Sequence, residues 1–306
     1  MQYVSISKKS PEASRVVLGC MRIGGMEVSA IDSLIKTALS CGINAFDHAD
    51  IYGGGESEKR FGEALKLNPS VRENMFIQSK CGIRQGEYCF EKDYILSSVD
   101  GILKRLGTDY LDLLILHRPD VLMEPEEVAE AFDKLEAAGK VRAFGVSNMN
   151  PMQIRLLESA LGEHHIAVNQ MQLSCANTLP IDEGFNVNIA SDKGTMYTGS
   201  VLEYCRLNRI FIQTWSTLQY GFFEGTFPNN DKFPELNATL KRIAKEHNVT
   251  VGAVAAAFNL RVPGVGQAIV GSTKPSRIQE LAEAGNITLF HSEWYELYRS
   301  AGNKLP

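Results

Sequence analysis

The 306-residue sequence predicts an α/β fold: a (β/α)8 TIM barrel in which residues 1–306 form a single domain. Three observations carry that reading. Short apolar runs alternate with amphipathic stretches along the whole chain, with no break in composition to mark a second domain. The runs number eight. Four residues able to do chemistry fall at or just past the C-terminal ends of such runs, and a parallel barrel gathers those ends at one mouth.

The strands are expected at residues 16–21, 43–47, 75–80, 111–117, 141–147, 167–172, 210–216 and 266–271. Between them apolar residues recur at spacings of three and four, the period of a helix with one buried face. The clearest helical stretches are 30–40, 92–106, 126–138 and 151–160. The third follows Pro125 and stops at Gly139; the fourth opens at Pro151 behind Asn150, an N-cap residue. Residues 234–262 carry more helix than one connection needs, and 292–301 reads as a final helix that closes over the barrel.

Two stretches read as irregular. Residues 177–199 are rich in Asn, Asp, Gly, Thr and Ser and follow the sixth strand; residues 219–234 hold Gly, Phe, Pro and Asn and follow the seventh. Both are expected at the mouth, as solvated insertions or as covers over a substrate. A doubly wound sheet with a second domain is the competing fold. It is disfavoured because the alternation runs to the C-terminus and because Gly19-Cys20-Met21-Arg22 lacks the glycine pattern of a dinucleotide turn.

Composition excludes several function classes. The net charge is −5, with both signs spread along the chain. There is neither a basic stripe for nucleic acid nor a polybasic membrane patch. No apolar run approaches the roughly 20 residues of a membrane span, and the N-terminus lacks an apolar signal core. A cytoplasmic protein is expected. The six cysteines form no CxxC pair and no zinc-like spacing, so they read as free thiols in a reducing compartment.

The four residues are Asp47, Tyr52, Lys80 and His117. A carboxylate, a phenol, an amine and an imidazole in one pocket can donate a proton to a carbonyl oxygen. Taken singly, each has a plainer role. Tyr52, ahead of Gly53-Gly54-Gly55, suits a turn; those glycines lack the lysine and spacing of a P-loop and read as a flexible turn. Lys80 suits a surface position, or a Schiff-base nucleophile in a barrel lyase. His117, ahead of Arg118-Pro119, suits a strand end. Asp47 suits a loop cap, with Asp50 as its competitor.

Five segments taken together decide among these. They are Phe46-Asp47-His48-Ala49-Asp50-Ile51-Tyr52-Gly53, Ser79-Lys80-Cys81-Gly82, the run from Leu111 through His117-Arg118-Pro119, the run from Gly139 through Gly145-Val146-Ser147-Asn148, and Ile269-Val270-Gly271-Ser272-Thr273-Lys274. In this order the sequence resembles the aldo-keto reductase superfamily, in its bacterial general-oxidoreductase branch, over about residues 16–299. The resemblance implies a catalytic tetrad. Tyr52 is the general acid, Lys80 lowers its pKa, Asp47 pairs with Lys80, and His117 orients the substrate carbonyl.

It also implies a nicotinamide cofactor, NADPH. Ser147, Asn148 and Gln170 are expected on the carboxamide and Trp215, where many members have Tyr, on the ring. Leu218 is expected along the pyrophosphate path beside Ser216, and Gly19 and Met21 face the cofactor. Gly271, Ser272 and Thr273 with the helix that follows suit its phosphates. Lys274 and Arg277 match the grip on the 2′-phosphate, and Glu280 the adenine amine. Each charge-assisted bond of this kind contributes about 1.5–3 kcal/mol, roughly ten- to a hundredfold for NADP over NAD. Basic residues at a helix start oppose the helix dipole, which a bound anion would relieve.

A small-molecule carbonyl substrate is expected, with no nucleic acid or membrane partner. Some members resemble channel-associated regulatory subunits with slow chemistry, which is the alternative. Specificity is expected in the mouth loops 83–91, 177–199 and 219–234. Their aromatics Tyr88, Phe90, Phe185, Tyr197, Tyr220, Phe222 and Phe223 suit either an apolar pocket or packing.

Overall fold

A computed structural model describes residues 1–66, 69–190 and 192–305. Eight parallel strands close into a barrel: β1 (Val16–Gly19), β2 (Ala45–Asp47), β3 (Phe76–Cys81), β4 (Leu113–Leu116), β5 (Phe144–Ser147), β6 (Ile166–Gln172), β7 (Phe211–Trp215) and β8 (Val265–Val270). Each pairs with its sequence neighbours, and β8 closes on β1 through Ala268 with Val16, Ile269 with Val17 and Val270 with Leu18. Strands covered on both faces are written as near-continuous apolar runs, which is why periodicity found them.

Eleven α-helices surround the barrel among the described residues. They are α1 (Val28–Ser40), α2 (Glu56–Leu65), α3 (Lys92–Leu106), α4 (Pro125–Ala137), α5 (Pro151–Glu158), α6 (Leu179–Phe185), α7 (Val201–Leu207), α8 (Pro234–Glu246), α9 (Val251–Leu260), α10 (Pro275–Ala282) and α11 (His291–Ser300). The expected excess of helix after the seventh strand is the pair α8 and α9. Asn150 caps α5 reciprocally: its side chain accepts from the Gln153 N–H at 3.0 Å, and the Gln153 side chain accepts from the Asn150 N–H at 2.9 Å.

The core has two layers. Val17, Ala45, Phe76, Leu113, Ile115, Val168 and Ile269 fill the barrel interior. A larger shell lies between strands and helices. The N-terminal hairpin of Tyr3–Val4 with Ala13–Ser14 brings Ala13 into the inner layer. No described helix is long and apolar enough to cross a membrane.

Three expectations need correction. The fourth and fifth strands begin later than their apolar runs. Leu111 and Val141 meet only as an isolated bridge. Between that bridge and β4 stands buried Asp112, which accepts from the Ile77 N–H at 2.9 Å, Arg72 at 3.1 Å and Arg142 at 3.2 Å. Backbone bonds continue there, from the Leu111 N–H to the Lys140 carbonyl at 2.8 Å and from the Asp112 N–H to the Ile77 carbonyl at 2.9 Å, but the Asp112 side chain takes the Ile77 N–H, so regular pairing starts only at Leu113.

The 177–199 stretch contains α6 and a short 3-10 turn at Asp192–Gly194; residue 191 lies outside the described residues. Tertiary contacts hold α6: Tyr298 Oη donates to Asp182 Oδ1 at 2.6 Å, and the Phe185 and Tyr298 rings lie 4.9 Å apart. Finally, α11 does not close over the barrel. Trp294 stacks on Phe258 of α9 at 4.9 Å and donates its Nε1–H to the Phe258 carbonyl at 3.0 Å, so the helix covers other helices.

Gly62 shows how tightly α2 meets α3. A Cβ there would stand 2.4 Å from the Arg105 carbonyl oxygen and 2.6 Å from that of Leu106, both backbone atoms that cannot swing aside. Gly62→Ala is expected to lower stability by about 2–3 kcal/mol, read as a lower urea midpoint at unchanged slope. A midpoint equal to wild type would show that α2 and α3 separate freely.

Candidate active site

Lys80 sits on β3 with no exposed surface. Its ammonium lies 2.7 and 2.8 Å from the two oxygens of Asp47, at the end of β2. It also donates to the His48 carbonyl at 2.7 Å and to Tyr52 Oη at 3.1 Å. Tyr52 reaches that position because the chain doubles back directly after it. Gly53, Gly54 and Gly55 all take left-handed φ values of 60, 64 and 92° before α2 begins. Residues with a Cβ rarely adopt one such conformation, and three in succession call for glycine. The His117 ring, one residue past β4, stands edge-on to Tyr52 with centroids 6.0 Å apart.

Asp50 does not take the place of Asp47. It contributes its backbone N–H to the Lys80 carbonyl at 3.0 Å, while its carboxyl oxygen Oδ1 is buried without a partner. Burial, reinforced by nearby Glu58, pushes the Asp50 carboxyl up to about 7.

The electrostatics follow from burial and from one cation. Burial pulls the Lys80 ammonium toward losing its proton, but Asp47 and Tyr52 more than offset this and hold its pKa above the ordinary value. A Schiff-base nucleophile needs the opposite, a neutral amine. For Tyr52 the expected lowering is corrected. Lys80 does pull the phenol down, yet burial outweighs it, with Asp47 adding to burial, and the net direction is up. His117 is held neutral, its pKa driven down to about 2 by burial and then by Lys80 and Arg118.

Beneath the pair lies a glutamine network that sequence reasoning missed. Gln78 and Gln170 donate to Asp47 Oδ1 at 2.6 and 3.0 Å. Both also donate to Gln213 Oε1, Gln213 donates to Gln267 at 2.7 Å, and Gln267 ends on the Ser14 carbonyl at 2.8 Å. The signal was strand alternation: Gln78 precedes Lys80 by two residues and Gln213 precedes Trp215 by two, so each pair shares a face.

Above the pair opens a cavity of about 860 Å³. Asp47, Tyr52 and His117 line it, as do Gly19, Met21, Ser147, Asn148, Gln170, Trp215, Ser216, Leu218, Gly271, Ser272, Thr273, Lys274, Arg277 and Glu280. Lys80 alone of the expected residues does not, because it is buried behind Tyr52. Ser147 donates to the Gln170 carbonyl at 2.9 Å and receives from Asn148 at 2.7 Å. Asn148 and Ser216 take left-handed φ of 57 and 54° directly after β5 and β7.

Arg22 and Arg118 also line the cavity and were not anticipated. Of the three loops, 219–234 supplies Phe223 and 83–91 supplies Ile83, but no described residue of 177–199 reaches the cavity. Among the loop aromatics, Phe222 and Phe223 meet Trp215 at 6.2 and 5.8 Å, whereas Phe185 packs against α11 and Phe90 is core. The described cysteines are free, and no described His, Cys, Asp or Glu cluster suits a metal.

The aldo/keto reductase family model matches residues 15–301. The chain belongs to that family. It is 36% identical to the oxidoreductase YdhF of Escherichia coli K12, covering 98% of each chain. It is 35% identical to the 6-dehydroglucose reductase of Agrobacterium fabrum, covering 99% of each. Its structure is similar to that of a thermostable aldo-keto reductase solved with the inhibitor epalrestat, with a TM-score of 0.76, 28% identity, and coverage of 98% of this chain and 100% of the other. As an aldo-keto reductase, this chain is an oxidoreductase of carbonyl chemistry.

His48 gives a pH test of the site's burial. Its ring, 4.5 Å from Phe61, has both nitrogens buried without partners, and burial followed by Lys80 lowers its pKa to about 3. An unfolded histidine titrates near 6.5. Between those values the unfolded chain binds the proton and the folded chain does not, so stability falls as pH falls. The slope is about 1.4 kcal/mol per pH unit for each such histidine. His48→Gln should therefore show a shallower loss of stability than wild type between about pH 6 and pH 4.5, by roughly that slope, in urea unfolding. Parallel curves would mean that His48 is protonated in the fold.

Proposed function

We propose that this chain reduces aldehydes or ketones to alcohols with NADPH, using Tyr52 as proton donor. One observation carries the reading. The Tyr52 hydroxyl, in contact with a buried ammonium, lies on the same continuous cavity as Lys274 and Arg277. Those two cations have no acidic partner among the described residues, and they flank the start of α10, where Lys274 is the N-cap. A helix N-terminus with two free cations suits the phosphates of a dinucleotide. The far end of the cavity suits its ring.

The residues present fit the cofactor. Ser147, Asn148 and Gln170 offer donors and acceptors for a carboxamide, and Trp215 offers a ring face. Leu218, Gly19 and Met21 line the path between the two ends, with Ser216 beside it. Gly271, Ser272 and Thr273 lead into α10, and Glu280 lies one turn beyond Arg277. A bound NADPH would supply the hydride.

The protein's own part is proton and charge. Neutral His117 can donate a hydrogen bond to the carbonyl oxygen and fix its angle. Tyr52 then gives up its hydroxyl proton to that oxygen as negative charge develops on it. The raised pKa keeps the phenol protonated until then, and Lys80 stabilises the phenolate left behind. The relative named 6-dehydroglucose reductase supports reduction as the direction.

Tyr52→Phe should lower kcat by about two to four orders of magnitude while cofactor still binds. Turnover equal to wild type would remove Tyr52 from the chemistry. Titration of tryptophan emission tests the cofactor. The chain has two tryptophans, of which Trp215 lines the cavity and Trp294 is packed in the helical layer. NADPH should quench at far lower concentration than NADH, and Lys274→Gln should weaken NADPH by roughly ten- to a hundredfold. Equal affinity for both cofactors would exclude a 2′-phosphate site at α10.

A further inference from the structure

The cavity contains a cation that the proton donor and the cofactor leave unused. Arg118 follows His117 directly, and both line the cavity. Arg118 is half-buried, yet among the described residues its guanidinium makes no hydrogen bond and no ion pair. Its neighbours are ring faces: its Cζ lies 5.6 Å from the Trp215 centroid and 5.7 Å from that of Phe222.

The other half-buried arginines behave differently. Arg15 and Arg261 donate to backbone carbonyls, Arg72 and Arg142 to Asp112, Arg105 to Glu58 and Arg60 to Glu63. Two acids of the same strand ends are engaged elsewhere. Asp120 accepts from the Phe90 and Leu122 N–H groups at 2.9 and 2.8 Å, and Asp47 is paired with Lys80.

A guanidinium carries five N–H donors in a planar fork. Those of Arg118 have no partner among the described residues and open onto the cavity, where a partner from outside can take them. The cofactor's phosphates do not supply it, because the cations suited to them stand elsewhere. Lys274 and Arg277 flank α10, and Arg22 Nη2 lies 3.6 Å from where a Cβ on Gly271 would stand. Arg118 stands instead beside His117, on the side where the carbonyl is reduced. Two ring faces beside it restrict the guanidinium without pairing its donors, which preorganises the fork for an anion.

We propose that Arg118 selects carbonyl substrates that carry a carboxylate, binding that group while His117 binds the carbonyl. The assignment rests on the reductase reading and adds a substrate class to it. A carboxylate fits better than a doubly charged phosphate, since a single free guanidinium supplies one charge and a bidentate match.

The test compares kcat/KM for 4-carboxybenzaldehyde and benzaldehyde, with NADPH, in wild type, Arg118→Met and Arg118→Lys. Wild type should favour the carboxylate by tenfold or more. Arg118→Met should bring the ratio close to one, and Arg118→Lys should restore it only in part, because an ammonium lacks the fork. A ratio near one in wild type, or one that Arg118→Met leaves unchanged, overturns the proposal.

Benzoate binding, read from tryptophan emission, separates this from the reductase reading. Saturable binding that weakens at least tenfold in Arg118→Met supports the anion site even if benzaldehyde is not reduced; the reductase reading alone would then fail. Benzoate binding that Arg118→Met does not weaken overturns the anion site, whatever the turnover. Displacement of benzoate by inorganic phosphate at equal concentration would assign the site to phosphate and overturn the carboxylate assignment.

Discussion

The site depends on one buried ion pair, Lys80 with Asp47. Taking an ammonium and a carboxylate out of water costs several kcal/mol per ion, and the pair's attraction offsets this only if nearly every remaining hydrogen-bonding position is filled. Here they are filled. Lys80 has both Asp47 oxygens, the His48 carbonyl and the Tyr52 hydroxyl around it. Asp47 has Gln78 and Gln170 besides. Much of the nearby architecture follows from supplying those partners. The glycine turn brings Tyr52 over the ammonium, and the glutamines connect the carboxylate down the barrel to the Ser14 carbonyl.

That network adds a polar layer to a barrel interior that is otherwise apolar. Gln78, Gln213 and Gln267 are fully buried on three different strands and satisfy one another through amide donors and acceptors. A glutamine carries no net charge, so it can solvate a buried carboxylate without requiring a further counter-ion. Such networks are stable only when complete, and a half-satisfied one is worse than an apolar core. Substitution of any one glutamine therefore bears on Asp47 as well as on packing.

The sequence made the barrel and the gathering of Asp47, Tyr52, Lys80 and His117 legible for the same reason. Doubly buried strands leave continuous apolar runs, and the chemistry stands at their ends, so Asp47, Lys80 and His117 could each be located by a run that stops. What was not legible depended on partners distant in sequence. Helix α6 has only seven residues and is held by Tyr298, more than a hundred positions away. The strand at 111–117 overshot because the Asp112 side chain takes the Ile77 N–H, so regular pairing with β3 starts only at Leu113. Arg118 was read only as part of a segment that carries a resemblance. Its lack of partners is a fact about every surrounding element and has no signature in the chain itself.

Tyr52 shows where local reasoning takes the wrong sign. A lysine beside a phenol argues for a lowered pKa, and that pull is present; burial exceeds it, and the net shift is upward. Cation and cavity thus act on different stages. In the resting site the low dielectric disfavours phenolate, so the hydroxyl keeps its proton. In the proposed mechanism, a neighbouring oxygen that gains negative charge is the better base, and the phenolate that forms would already be in contact with an ammonium held in place by Asp47. The same burial that raises the pKa also strengthens that contact, since an ion pair gains more attraction as water is excluded. A more exposed Tyr52 would have an easier ionisation at rest and a weaker Lys80 when the proton leaves. In the proposed mechanism that opposition is resolved in favour of a protonated donor.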